Sequence, residues 1–115
     1  MKKDNTIQQM SFDFSIQIID LYKRLVEKKE FVLSKQLLRS ATSIGANVEE
    51  GIAAQSRKDF ASKMSIASKE ARETRYWLRL LEKSKLVDLD YSWYLNTIEH
   101  IINILTKIIK TILKS

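Results

Sequence analysis

Residues 91–113 read YSWYLNTIEHIINILTKIIKTIL. Within them Tyr91, Leu95, Ile98, Ile102, Leu105, Ile109 and Ile112 alternate at spacings of four and three without a miss. That period lays one apolar seam along a helix. Tyr94, Ile101 and Ile108 widen the seam by a flanking position. The same period recurs upstream, in a chain of 115 residues with no proline and two glycines. Strands and frequent turns need those two residue types, so the chain is expected to form a few long helices with short connections.

Helix one is expected from about Phe12 to Lys28. Phe14, Ile18, Leu21 and Leu25 form its core stripe, and Phe12, Ile16, Ile19, Tyr22 and Val26 form a second stripe beside it. Helix two is expected from about Ser34 to Gln55, with Leu37, Ala41, Ile44, Val48 and Ile52 facing inward. It holds both Gly45 and Gly51. Glycine weakens a helix by about 1 kcal/mol relative to alanine, so its use there implies close approach by another backbone, or an early end at Gly51.

Helix three is expected to start at Ser56, where Ser56-Arg57-Lys58-Asp59 resembles a capping box. Phe60, Met64, Ala67, Ala71, Thr74, Leu78 and Leu81 mark its core face. Residues 86–90 supply the turn before helix four, with Asp88 or Asp90 as the cap. Short connections make neighbouring helices antiparallel. The predicted fold is all-α: an antiparallel, up-down-up-down four-helix bundle forming a single domain over 1–115, with 1–10 a loosely ordered N-terminal segment.

Several function classes are excluded by pattern. Cysteine is absent, and His100 is the only histidine, so neither thiolate zinc sites nor paired-histidine metal helices are available. No phosphate-binding glycine loop and no nucleophile–base pair can be read. The expectation is a non-enzyme with no catalytic residues, metal or cofactor. No apolar run reaches the length of a signal peptide core or a membrane span, which predicts a cytoplasmic protein without a membrane partner.

Two surface features remain. Gln36, Arg39, Ser43, Asn47 and Glu50 lie on one face of helix two beside its apolar stripe. Such a row either fixes packing register through hydrogen bonds or lines a groove for a partner. The second feature is charge. The net charge is +6, and residues 57–85 carry nine basic side chains against four acids, hence five of those six charges. Lys58, Lys69, Arg72, Arg75, Arg79 and Lys83 form a basic stripe on helix three, and a polyanion such as RNA or DNA is the partner such a stripe would take. Apolar residues beyond a single core stripe, including Phe12, Ile16, Ile66, Trp77 and Leu80, would leave a monomer with an exposed patch, so a homo-oligomer is expected.

The polar row sits in a longer motif. Residues 36–51 read QLLRSATSIGANVEEG, followed by Lys58-Asp59-Phe60 and by IASKEARETRYWL over 66–78. These segments resemble the bacterial four-helix-bundle proteins encoded in intervening sequences of large-subunit ribosomal RNA genes. The likeness spans about residues 12–113. It implies a bundle that assembles into a ring-like homopentamer. Related accessory proteins of diversity-generating retroelements are similar in fold, bind nucleic acid and associate with a reverse transcriptase. The resemblance therefore admits two roles: direct contact with RNA or DNA, or a protein-interaction adaptor for an enzyme such as a reverse transcriptase.

Overall fold

In the computed structural model, which describes residues 2–114 and side chains from residue 6 onward, four helices run nearly the whole chain. They are α1 (Lys2–Glu27), α2 (Leu33–Ile52), α3 (Arg57–Ser84) and α4 (Ser92–Lys114). α1 packs on α2, α2 on α3, α3 on α4, and α4 closes back onto α1 with the sparsest seam. Among the described residues no Cα of α1 comes within 8 Å of α3, nor any of α2 within 8 Å of α4, so these pairs stand diagonally. Up-down-up-down connectivity around a square is the arrangement that gives those contacts. The particle measures 46 × 21 × 20 Å.

The core is the set of stripes read from the period. Phe14, Ile18, Leu21 and Leu25 meet Leu37, Ala41, Ile44 and Val48, with Met64, Ala67, Leu78 and Leu81 opposite. On α4 the flanking row is buried as deeply as the seam itself: Tyr94 and Ile101 are buried alongside Ile98, Ile102 and Leu105. Burying a side chain of this kind contributes about 1.5–3 kcal/mol, so these rows dominate the fold's stability.

Two boundaries differ from the sequence expectation. α1 starts ten residues earlier than Phe12, because Ile7 and Ser11 continue its buried face and Ile7 is fully enclosed. Residue 1 and the side chains of 2–5 lie outside the described part. Over 6–10, where a loose segment was expected, the chain is helical. α2 stops at Ile52 rather than Gln55, just after Gly51.

Capping accounts for the other ends. The Ser56 hydroxyl accepts the Asp59 N–H at 3.0 Å, as the capping box predicts. Asp90, rather than Asp88, secures α4, its Oδ1 accepting the Ser92 N–H at 2.9 Å. α2 begins differently. The Glu30 carboxylate, four residues before Ser34, accepts N–H groups from Val32 and Leu33 at 3.0 Å and from Ser34 at 2.6 Å. In return the Ser34 hydroxyl donates to the Glu30 carbonyl at 2.8 Å. Burial alone would raise the pKa of Glu30, but the hydrogen bonds from Ser34, Leu33 and Val32 outweigh it and hold the carboxyl below its ordinary value.

Neither glycine of α2 meets a neighbouring backbone closer than ordinary contact: the near atoms at Gly51 are side chains, and the Ser11 carbonyl lies 3.5 Å from a Cβ built at Gly45. At Gly51 a Cβ would stand 2.6 Å from Met64 Cε and 3.1 Å from Lys63 Cβ, so a side chain here would have to push the end of Met64 aside. Gly45 faces α1, where Ser11 and Ser15 lie at ordinary contact distance.

Candidate functional site

The polar row of α2 is a half-exposed seam with α3. Arg39 bridges two α3 carboxylates, reaching Glu70 at 3.4 Å and making a short contact with Glu73. Glu73 also accepts the Trp77 indole N–H at 2.9 Å. The indole and then the Arg39 guanidinium hold the Glu73 carboxyl below its usual range. Glu50 pairs with Lys63 at 2.8 Å, and Asn47 donates back to the Ser43 carbonyl at 2.8 Å. Gln36 is exposed. Arg39 and Glu50 are thus paired with α3, and Asn47 is bonded back along α2.

The six basic residues of α3 separate into two kinds. Arg75 is committed to α4 through Glu99, at 2.9 and 3.1 Å. Arg72 reaches only the Thr106 hydroxyl, at 3.4 Å, and Lys83 lies 3.9 Å from Glu82 on its own helix. Lys58, Lys69 and Arg79 are exposed and form no ion pair among the described residues. Arg72 and Arg75 therefore reach towards α4, with Arg75 paired there, while Lys69 acts on Glu73 at the α2 seam.

Apolar exposure falls on two helices. On α1, Phe12 is 57% exposed, Ile16 49% and Ile19 38%. On α3, Tyr76 is 54% exposed and Ile66 38%, while Trp77 and Leu80 are half-buried. Trp77 is turned towards the α2 seam by its bond to Glu73 and offers a partner less than Tyr76 does. Phe12 also overhangs a groove between α1 and α2 floored by Ser11, Ser15, Gly45 and Ala46. Among the described residues no group of histidines and carboxylates could hold a metal ion, and His100 is exposed. No described helix is long and apolar enough to cross a membrane.

A model of the 23S rRNA-intervening sequence proteins matches residues 3–107. The chain belongs to that family. A solved structure shows how closely the family fold is kept: a protein with unknown function from the S23 ribosomal protein family, of Bacteroides thetaiotaomicron VPI-5482. It is 50% identical, superimposes with a TM-score of 0.89, and the match covers 94% of this chain and 98% of that one. No curated protein matches. This intervening-sequence protein therefore has a bundle core with two unlike outer helices: α1 is partly apolar with its acids and bases in balance, and α3 is partly apolar and basic.

Proposed function

We propose that this intervening-sequence protein is a non-enzymatic cytoplasmic binding protein that works as a homo-oligomer, pentameric as the family resemblance implies. The observation that carries the reading is the exposure of Phe12, Ile16 and Ile19 along one stripe of α1, on a chain whose core is already filled by other residues. Large apolar side chains grouped on one face mark an association site, whereas scattered ones are ordinary. Ile66 and Tyr76 on α3 add a second patch on the opposite corner of the bundle. The test is the solution mass by light scattering at micromolar concentration. A particle several times the 13.4 kDa chain supports the reading, and a monomer overturns it.

A second reading is favoured by the sorted charge of α3: the assembled surface contacts RNA or DNA without sequence preference through Lys58, Lys69 and Lys83. Repetition around an oligomer multiplies individually weak phosphate contacts. Fluorescence anisotropy with a labelled single-stranded RNA across a salt series tests it. Affinity that falls steeply with salt, and that a Lys58→Glu/Lys69→Glu variant loses, supports the contact. Binding absent at low salt would leave the protein-adaptor role.

A further inference from the structure

We infer that the cleft between α1 and the start of α4 holds a nucleobase with its phosphate, the base lying on the Trp93 indole and the phosphate on Arg24. The base belongs either to a free mononucleotide or to a single strand. In the second case the site rests on the nucleic-acid reading above and adds a base contact to its phosphate contacts.

Gln17 and Arg24 of α1 line an open cleft of about 510 Å³ together with Asp90, Trp93 and Tyr94. Small-molecule sites run from about 300 to 1,000 Å³. The cleft lies on the α1–α4 seam, where the helices meet least. Gln17 and Arg24 stand seven residues apart, so it extends over about 10.5 Å of α1.

Trp93 supplies a flat ring that its neighbours hold in place. It stacks on the buried Phe14, with ring centroids 6.3 Å apart and planes at 24°. The Tyr94 ring meets it edge-on, at 5.3 Å and 89°. Even so, Trp93 is 51% exposed. A ring fixed before a ligand arrives loses little freedom when a second flat ring covers it. Every nucleobase has a face for such stacking.

Polar groups with capacity to spare surround that ring. Among the described residues Arg24 joins no ion pair, and neither the Gln17 amide nor the Trp93 indole N–H has a hydrogen-bond partner. Asp90 accepts the Ser92 N–H and hydroxyl on Oδ1, which leaves Oδ2 open. The Arg24 charge reaches the start of α4: burial and then Glu30 raise the pKa of Tyr91, and Arg24 opposes them. A guanidinium presents the donor geometry that phosphate oxygens take. The Gln17 amide and Asp90 Oδ2 together offer a donor and acceptors to the edge of a base. Lys28, exposed one turn beyond Arg24, would meet the next phosphate of a strand.

The cleft stays open in an assembly formed through the apolar stripe of α1. At about 100° per residue, Gln17 and Arg24 lie roughly 120° around the helix from Phe12, Ile16 and Ile19.

The experiment uses a Trp77→Phe chain, in which Trp93 is the only tryptophan. Its emission is followed on adding adenosine monophosphate, a short poly(A) RNA, or an abasic strand with the same number of phosphates. Quenching by a probe that carries a base is expected. Quenching by the mononucleotide marks a free-nucleotide site, and quenching by the RNA alone marks a strand. For a strand, the RNA should bind about tenfold more tightly than the abasic strand, and Trp93→Leu should remove that difference. The quenching measurement alters nothing at the cleft, so it decides even where Trp93→Leu fails to fold. RNA and abasic strand binding equally, without quenching, would overturn the base site and leave the phosphate contact standing. Base-dependent binding retained by a Trp93→Leu chain that is helical by circular dichroism also overturns it. No binding of any probe overturns both readings.

Discussion

The Thr74 hydroxyl of α3 is hydrogen-bonded to the Ser40 hydroxyl of α2 at 2.9 Å, joining two fully buried side chains between the helices, and also reaches the Glu70 carbonyl at 2.8 Å. Ser40 in turn lies within reach of the Leu37 carbonyl at 3.3 Å, so the pair ends on backbone and leaves no group unsatisfied. A polar pair in an apolar interior allows one register where leucines would tolerate several. Thr74→Val keeps the shape and deletes the donor, and is expected to cost about 1 kcal/mol in urea unfolding. Adding Ser40→Ala is expected to cost less than the sum of the two single changes, because the pair is lost only once.

Glu30 ties stability to pH. Its folded pKa lies below the ordinary value of 4.5, so the carboxylate form is the one that folding favours. The resulting stabilisation is fully present above about pH 4.5 and is lost as pH falls through the folded value. Glu30→Gln should therefore flatten the acid limb of the melting-temperature profile, and Glu30→Ala should cost about 2 kcal/mol at neutral pH by leaving the first N–H groups of α2 without their acceptor. An unchanged acid limb in Glu30→Gln would show that other carboxylates set it.

The two glycines of α2 predict opposite signs. Gly51→Ala must displace the fully buried Met64 and press on Lys63, and overpacking should outweigh the helix-propensity gain for a net loss of about 1 kcal/mol. Gly45→Ala meets nothing closer than 3.5 Å and should gain up to about 1 kcal/mol from propensity. Thermal melts of the two variants side by side check the contrast.

Lys29 and Lys85 follow the C-terminal turns of α1 and α3 at φ values of 65° and 54°. A left-handed conformation suits glycine, so Lys29→Gly and Lys85→Gly should each stabilise by about 0.5–1 kcal/mol in urea unfolding.

Element type and core face were legible because helical periodicity is a local property. Phe14, Ile18, Leu21 and Leu25 announce a buried face whatever they pack on, and Ser56 caps α3 within four residues of chain. The start of α1 was not legible. Ile7 lies on the stripe at the right spacing but among polar residues, and the polar Ser11 interrupts the apolar pattern before Phe14, so that only burial shows both extend it. Glu30 was missed for a similar reason: an acid in a lysine-rich connection resembles solvated charge, and its position four residues before Ser34 was the available signal. Of the basic stripe, the chain itself showed the sign and the face. It could not show that Arg75 is already matched by Glu99, twenty-four residues away.

By itself the sequence determined four helices, their inward faces and the segregation of positive charge on α3, since each depends on residues within a few turns of one another. Tertiary structure decided which charges remain available. Arg39, Lys63 and Arg75 are paired with acids on adjacent helices, while Lys58, Lys69 and Arg79 form no ion pair among the described residues. The pairings follow from how Ser40 meets Thr74 and how α3 lies against α4, contacts between residues distant in the chain that packing alone brings together.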